Sequence, residues 1–193
     1  MQYRMRTPIR DVRMLKVGDE VYVDGEIFTA RDEAHKKMME SKEIPFDPSA
    51  MPLFHCGPVV KRVDGRWEVI AAGPTTSARM EIFEDKFIEK FKIKMIIGKG
   101  GMGERTLKAL REHGAVYAMF TGGAGVLAAR SIKRVKEVYW LEELGMPEAV
   151  WIFEVENFGP LVITMDSHGN SLHRDVRNRV MDRLKGMVAE HEG

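Results

Sequence analysis

The sequence predicts a single α/β domain, built of layered sheets and helices, that spans residues 1–193. Its apolar fraction of 44% is enough for a hydrophobic core, and no internal repeat or Ser/Pro/Gly-rich linker divides the chain. From Gly73 onward, strand-like segments alternate with helix-like ones. Because strands joined by helices usually run parallel, this order predicts a largely parallel sheet.

The first part of the chain is predicted to be rich in β-structure. "VYVDGEIFTA" and "VVKRVDGRWEVIAA" each place an Asp-Gly pair between two short alternating runs, at Asp24-Gly25 and Asp64-Gly65. Asp-Gly is the strongest short signal for a two-residue hairpin turn, so both segments are predicted to be β-hairpins. Residues 31–42, "RDEAHKKMMESK", are predicted to form a helix between them.

The segment after Gly73 supplies the alternating elements. An apolar stripe at helical spacing predicts a helix that starts near Thr76. "KMIIG" and "AVYAMF" are predicted to be buried strands, and "GERTLKALREHG" between them a helix that ends at Gly114. "GGAGVLAARSI" is predicted to be the next helix, and "EVYWL", "AVWIFEVENF" and "LVITMD" further strands. The stripe consists of Met80, Phe83, Phe87 and Phe91.

The C-terminal segment is predicted to be a final helix. Four apolar residues recur there at intervals of four, which is typical of a helix with one apolar face. We expect that face to be buried against the rest of the domain. The four residues are Val176, Val180, Leu184 and Val188.

Composition excludes several functional classes. The net charge of +1, from 30 basic and 29 acidic residues, favours neither nucleic acid nor an anionic membrane as a partner. The N-terminus is charged and lacks an apolar signal segment, and no stretch is long enough to span a bilayer, so a cytoplasmic location is expected. A low amide content beside 31% charged residues favours a thermophilic source. Cys56 is the single cysteine, which excludes an internal disulfide.

A glycine-rich loop, "IGKGGMGE", raises the possibility of nucleotide binding. Gly98, Gly100 and Gly103 have the G-x-G-x-x-G spacing, after a predicted strand and before a predicted helix. The acidic residue expected about 20 positions later is missing, because "AVYAMF" runs into Thr121-Gly122-Gly123. A stand-alone anion or nucleotide module that uses residues 98–103 therefore remains only an alternative. The backbone N–H groups of the loop, with the Lys99 ammonium, could equally bind a smaller anion.

Two further strand-to-helix loops carry polar and basic residues. "GPTTSARM" contains Thr75, Thr76 and Arg79, with Arg79 near a helix start, where a cation opposes the helix dipole unless an anion is bound. The threonines would otherwise serve as ordinary helix caps. Arg31 stands at another strand-to-helix junction, and two arginine clamps would suit a dicarboxylate. We expect these loops to meet at one anion site, together with Gly98, Gly100 and Thr121-Gly122-Gly123.

Taken in order, several motifs resemble a known enzyme family. They are "GPVVKRVDGRWEVIAAGPTTSARM", "GKGGMG", "GGAGVLAARSIKRV" and "LEELGMPEAVWIFEVENFGPLVITMDSHGN". Together they resemble the β subunit of class I fumarate hydratases and L-tartrate dehydratases, from about Gly18 to Asn170. In some members of that family the same segment is the C-terminal half of a longer chain. The resemblance implies a swivelling β/β/α three-layer fold.

The resemblance also implies a reaction and an assembly. The reaction is reversible addition of water to a dicarboxylate, for example fumarate to L-malate in the tricarboxylic acid cycle. The resemblance implies an oxygen-sensitive [4Fe–4S] cluster that is bound by a separate α subunit. This agrees with the single cysteine, since Cys56 alone cannot hold such a cluster, and no metal is predicted on this chain. An α2β2 complex that contains a homodimer of this chain is the expected assembly.

Residue by residue, the resemblance assigns roles to the basic loops. Arg31 and Arg79 would bind substrate carboxylates, with Thr76, Gly98 and Gly100 also on the substrate. Thr75 would lie at the reacting carbon as the proton-abstracting group. Lys99 would activate it or hold the substrate by charge.

Three questions stay open at the level of sequence. Fumarate or L-malate is the first expectation for the substrate. Tartrate or oxaloacetate is the next, because "GKGGMG" resembles the separate-subunit forms, which include tartrate dehydratases. A structural or regulatory subunit without catalysis is a further alternative, although the joint presence of Arg31, Thr75, Arg79 and Lys99 argues against it. Cys56 is expected to be a buried inert thiol. The six histidines are scattered without metal-ligand spacing and are expected to lie in turns, in packing or at the surface.

Overall fold

The protein is described by a computed structural model over residues 1–191. Within this range the chain forms nine β-strands, six α-helices and a 3-10 turn at Ser77–Met80. In chain order the strands and helices are β1 (Gln2–Arg6), β2 (Glu20–Thr29), α1 (Asp32–Glu40), β3 (Leu53–Phe54), β4 (Val59–Val63), β5 (Arg66–Ala71), α2 (Glu81–Phe91), β6 (Met95–Gly98), α3 (Glu104–His113), β7 (Val116–Phe120), α4 (Gly125–Ser131), β8 (Ile132–Tyr139), α5 (Leu141–Leu144), β9 (Val150–Met165) and α6 (Leu172–His191).

The main sheet closes on itself. Its seven strands have the order β1-β2-β3-β6-β7-β9-β8, and β2 also pairs with β9. The five strands β2, β3, β6, β7 and β9 therefore form a continuous ring of neighbours. One apolar cluster takes residues from all five of them, among them Ile27, Phe54, Ile97, Phe120 and Phe153. The inner faces of the ring strands thus share a single core.

The outer face of the ring packs against helices. Alternate residues of a strand point to opposite faces, and β6 shows this directly: Ile97 lies in the inner cluster and Ile96 in a second, outer cluster. The outer cluster also contains buried side chains of α1, α2 and α3. The predicted stripe of α2 is confirmed, since Met80, Phe87 and Phe91 are buried.

The sheet is mixed, which corrects the prediction of a largely parallel one. Four of the seven strand pairings are parallel and the three that involve β9 are antiparallel. "AVWIFEVENF" and "LVITMD" cause the difference, because they form one 16-residue strand that returns against β2, β7 and β8. The swivelling three-layer description stays a prediction.

Only one of the two predicted hairpins forms. Asp64 and Gly65, both at positive φ, connect β4 and β5 as an antiparallel pair. Asp24 and Gly25 instead lie inside the ten-residue strand β2, where the pairing with β9 shifts register beside Gly25. Gly25 has a positive φ, as a turn residue often does, but here it belongs to an irregularity within a strand.

The last helix forms, but its apolar face is not buried. Val176, Val180 and Leu184 are 45–49% exposed, so the predicted burial of this face is wrong. The side chain of Val188 lies outside the described residues. Among the described residues, the helix contacts β9 and, through His173 and Arg174 of its first turn, Gly101 and Glu104. No helix within residues 1–191 is long and apolar enough to cross a membrane.

Candidate active site

The "GPTTSAR" loop and the glycine loop lie side by side. Thr76 and Lys99 form a parallel bridge, and the Ser77 N–H donates to the Lys99 carbonyl at 3.0 Å. The Thr75 N–H donates to the carbonyl of His55, at the end of β3, at 2.7 Å. The "GPTTSAR" loop follows β5 of the two-stranded sheet and the glycine loop follows β6 of the ring, and these backbone contacts bring the two loops together. The predicted meeting of Thr75, Thr76 and Lys99 therefore has a backbone basis.

The loop at Thr121-Gly122-Gly123 joins the same group. The Lys99 side chain passes the Gly122 Cα so closely that a Cβ there would lie 3.5 Å from Lys99 Cδ. The next residues contact the start of the "GPTTSAR" loop, since the Ala72 N–H donates to the Gly125 carbonyl at 3.0 Å. Gly73 and Gly125 approach backbone to backbone there. Three of the predicted loops thus form one surface.

Arg31 lies at the edge of this group and is half-buried. It precedes α1, and its carbonyl accepts from the His35 N–H at 2.8 Å. Its guanidinium faces Glu148, with Nε 3.2 Å from a carboxylate oxygen. Gly57 permits this position, because a Cβ there would lie 2.5 Å from Arg31 Nη1. Gly57 directly follows Cys56, which bridges to Pro74 just before Thr75.

Arg79 lies in the 3-10 turn that precedes α2, and it is exposed. Its Nη2 donates to Asp32 at 2.6 Å, and Asp32 is the residue after Arg31. The two arginines therefore stand on neighbouring segments with separate acidic partners. A guanidinium has five N–H donors, so Asp32 leaves most of those of Arg79 available. Thr76 precedes the turn without a side-chain capping bond, so capping does not explain it.

The glycine loop has no free helix N-terminus to offer a phosphate. The Glu81 carboxylate accepts from the Gly103 N–H at 2.7 Å and from the Thr106 hydroxyl at 2.7 Å. Helix α3 therefore begins with a protein carboxylate where a dinucleotide fold would bind pyrophosphate. Gly100 has φ +76° with open space around it, whereas Gly98 is buried. This arrangement argues against the nucleotide alternative.

A buried polar chain runs beneath the two loops. The Ser77 hydroxyl lies 2.9 Å from His55 Nδ1 and 3.0 Å from the Tyr117 hydroxyl, and it accepts from the Lys99 N–H at 3.3 Å. Tyr117 also contacts the Gly100 carbonyl at 3.1 Å. Burial raises the pKa of the Tyr117 hydroxyl, so it is a neutral hydrogen-bonding group. Gly98 leaves room for this chain, because a Cβ there would lie 1.8 Å from Ser77 Oγ.

The chain continues to three fully buried titratable residues that the sequence reasoning missed. Glu84 Oε2 lies 3.1 Å from His55 Nε2 and 3.5 Å from His35 Nε2. Burial alone would raise the pKa of Glu84, but the two imidazoles hold it at about 2. Burial lowers the pKa of His55. A signal existed: Glu84 falls among Met80, Phe87 and Phe91 on the buried face of α2, where a lone acid needs a partner.

Comparison with known proteins identifies the family. A sequence profile described as "Fumarase C-terminus" matches residues 4–176. The chain belongs to the fumarase C-terminus family.

Two relatives match this family member over nearly their whole length. The chain is 40% identical to the L(+)-tartrate dehydratase subunit beta of Escherichia coli K12 over 193 residues, which cover 98% of this chain and 96% of that protein. It is 49% identical to a Methanocaldococcus jannaschii protein provisionally given the same name, over 93% of this chain and 94% of that one.

A third relative is a longer protein. The chain is 46% identical over 183 residues to a Geobacillus stearothermophilus protein provisionally named fumarate hydratase class I. The match covers 93% of this chain and 35% of that protein. The family segment is thus found both as a separate chain and within a larger one, as the motif resemblance implies.

This fumarase C-terminus chain does not itself fit a [4Fe–4S] cluster. Such clusters are held by several cysteine thiolates, and Cys56 is the single cysteine. Cys56 is buried, and burial raises the pKa of its thiol, which disfavours the thiolate that binds iron. The expected burial of this thiol is confirmed.

Proposed function

We propose that this chain is the β subunit of a two-subunit hydro-lyase that reversibly adds water to, or removes it from, a four-carbon dicarboxylate. The observation that carries the proposal is the junction of the "GPTTSAR" loop with Lys99, through the Thr76–Lys99 bridge. This junction pairs the backbone of Lys99 with the segment that carries two threonines, in a chain whose end-to-end relatives are named tartrate dehydratase β subunits.

The proposed roles follow from the chemistry of each side chain. The Arg79 and Arg31 guanidiniums would bind the substrate carboxylates, with the backbone at Gly98 and Gly100 and the Thr76 hydroxyl completing the cradle. Thr75 would move the proton at the reacting carbon. Its hydroxyl is a weak base, so a neighbour must assist, and the Lys99 ammonium is the cation on the adjoining loop.

The substrate is proposed as a class with two leading members. The overall resemblance to class I fumarate hydratases places fumarate and L-malate first in this proposal. The names of the two end-to-end relatives support L-tartrate and oxaloacetate as the second pair. Both pairs carry two carboxylates, which two arginines can bind.

The remaining components are proposed to come from the assembly. The relatives' names imply an α partner, and we propose that it holds the [4Fe–4S] cluster, since this chain does not fit one. When bound, the cluster would supply Lewis-acid chemistry at the substrate hydroxyl. An α2β2 complex in the cytoplasm is the proposed form. The exposed apolar side chains of α6 support a chain that does not work alone.

The test is oxygen-free assay of the complex. The chain is co-expressed with its cluster-bearing partner, and turnover of fumarate, L-malate and L-tartrate is measured. Replacing Lys99 with alanine should lower kcat by about 10²- to 10⁴-fold if it assists proton transfer. Replacing Arg79 with alanine should raise KM by roughly 10- to 100-fold, as expected for one charge-assisted hydrogen bond.

A matched control separates substrate binding from surface charge. Arg105 forms the same kind of ion pair, with Asp85, and is 54% exposed beside 53% for Arg79. Arg105→Ala should leave KM unchanged. Equal effects of Arg79→Ala and Arg105→Ala, or an active Lys99→Ala complex, would refute the site assignment. A purified complex that turns over none of the three substrates would refute the function.

The nucleotide alternative has its own test. The isolated chain is titrated with NAD and with ATP in a calorimeter. Because Glu81 occupies the start of α3, no saturable binding is expected. Saturable binding lost on Gly100→Val substitution would favour the alternative instead.

A further inference from the structure

His35, His55 and Glu84 form a compact polar cluster inside an apolar shell. All three side chains are fully buried. The His35 ring packs 4.4 Å from the Phe87 ring, and the two imidazoles contact each other edge-on. Oε2 of Glu84 lies within 3.5 Å of the Nε2 atoms of both histidines. The proposed reaction uses none of these three groups directly.

The hydrogen-bond partners of His35 determine its protonation. Nδ1 lies 2.7 Å from the Arg31 carbonyl oxygen, which can only accept, so Nδ1 carries a proton. Nε2 faces the Glu84 carboxylate at 3.5 Å. A proton on Nε2 as well would spare the buried carboxylate a bare lone pair at this distance.

His55 needs no second proton. Its Nδ1 faces the Ser77 hydroxyl, which can donate, and its Nε2 can then donate to Glu84. The lowered pKa of His55, which burial causes, agrees with this neutral form. With His35 protonated on both nitrogens and Glu84 ionised, the cluster would hold one positive and one negative charge and be neutral as a whole.

We propose that the His35–Glu84 ion pair and His55 form a positioning network that holds the three substrate-facing segments in register. His35 contacts the carbonyl oxygen of Arg31, the predicted substrate-binding arginine at the junction of β2 and α1. His55 reaches Ser77, which follows Thr75 and Thr76, and Ser77 in turn bonds the Lys99 N–H. The network rests on the proposed function, because these segments are the proposed substrate cradle.

Stability alone is a weak reason for such a cluster. Removing two charges from water costs several kcal/mol each, and apolar side chains of similar volume often stabilise a core at least as well. Hydrogen bonds in a dry interior are directional, however, and they fix the segments they join. A cluster that reaches Arg31, Ser77 and, through Tyr117, Gly100 is placed to do this.

The first test examines the cluster in the full-length chain alone. Imidazole ¹⁵N NMR near neutral pH should show His35 protonated on both ring nitrogens and His55 on one. In Glu84→Gln the second proton of His35 should be lost, because its counter-charge is gone. A neutral His35 in the wild type would overturn the proposal. Binding of one transition-metal ion per wild-type chain, lost in Glu84→Gln, would also overturn the proposal, because a metal would then occupy the place of the proton.

The second test uses the active complex. Glu84→Gln should lower kcat by about 10- to 100-fold, because misplacement of reacting groups by about 1 Å has that effect. KM should change less, since the arginine side chains remain. Tyr117→Phe, which removes one hydroxyl and keeps the ring, should give a smaller loss of the same kind if Glu84→Gln folds poorly. If the activity of these variants falls only in proportion to their fraction of folded protein, the proposal is overturned.

A destabilised control completes this test. Leu15→Ala removes a buried side chain in the N-terminal segment, away from the three loops along the chain. It should lower the melting temperature and leave kcat of the folded complex unchanged. An inactive wild-type complex would count against the proposed function, and the NMR result would then decide the cluster by itself.

Discussion

The Glu81 carboxylate accepts a 2.7 Å hydrogen bond from the backbone N–H of Gly103, so the first turn of α2 caps the start of α3. The same carboxylate accepts from the Thr106 N–H and hydroxyl. A negative charge at a helix N-terminus is favourable, because it faces unpaired N–H groups and the positive end of the helix dipole. This contact connects the "GPTTSAR" loop, which leads into α2, with the end of the glycine loop.

Glu81→Gln should destabilise the chain by about 1–2 kcal/mol, since it removes the charge from this cap. The free energy of unfolding is measured in urea. Glu89→Gln, an exposed position on the same helix, is the control and should change little. Equal stability of the two variants would contradict the capping role.

Gly98→Ala should destabilise by steric overlap. Its added Cβ would meet Ser77 Oγ at 1.8 Å, and overpacking of this kind costs about 1–3 kcal/mol. Ser77→Ala removes that oxygen, so the double variant should be more stable than the sum of the single variants predicts. A double-mutant cycle in urea measures the coupling. Additive losses would show that the two positions do not meet.

Asp166 should contribute stability that depends on pH. Burial alone would raise its pKa, but hydrogen bonds from Asn170, Val17 and His168 hold that pKa below its ordinary value. A depressed folded-state pKa stabilises the protein above the unfolded pKa of about 4 and loses this effect as pH falls through the folded value. Asp166→Asn should therefore be least stable, relative to wild type, at neutral pH.

The measurement is unfolding free energy as a function of pH for both proteins. The difference between them should shrink as the solution is acidified below about pH 4. Asp182→Asn, at an exposed position of α6, serves as the control and should give no such trend. A difference for Asp166→Asn that stays constant with pH would exclude the ionised carboxylate as its cause.

Truncations of two leucines should differ strongly in the isolated chain. Leu110 of α3 is fully buried, and Leu110→Ala should cost about 2–5 kcal/mol. Leu184 of α6 is 49% exposed, and Leu184→Ala should stay within about 0.5 kcal/mol of wild type. Thermal unfolding of the two variants compares them directly. A large loss from Leu184→Ala would mean that the α6 face packs against protein.

Local patterns predicted the elements around the loops well. The stripe of α2, the turn at Asp64-Gly65 and the end of α3 at Gly114 all occur as predicted, because each depends on neighbours in the chain. The loops that carry Thr75 and Lys99 were found for the same reason. The strand before each loop, the glycines within it and the helix start after it are all signals that come from neighbouring residues.

Predictions that depended on distant partners failed or were missed. Gly25 has the positive φ expected of a turn, but pairing with β9 makes it part of a strand. The apolar stripe of α6 is real, but the ring core leaves it exposed. Glu84 and His55 lie 29 positions apart, and spacing cannot show that their side chains meet.

The sequence by itself determined the family, the presence of a single cysteine, and the loops that carry Arg31, Thr75, Arg79 and Lys99. These depend on residue identity and short-range order. The tertiary structure decided that β9 closes the sheet into a ring, that Glu81 occupies the start of α3, and that His35, His55 and Glu84 share one buried site. Each of these is a contact between segments far apart in the chain, and only folding brings such segments together.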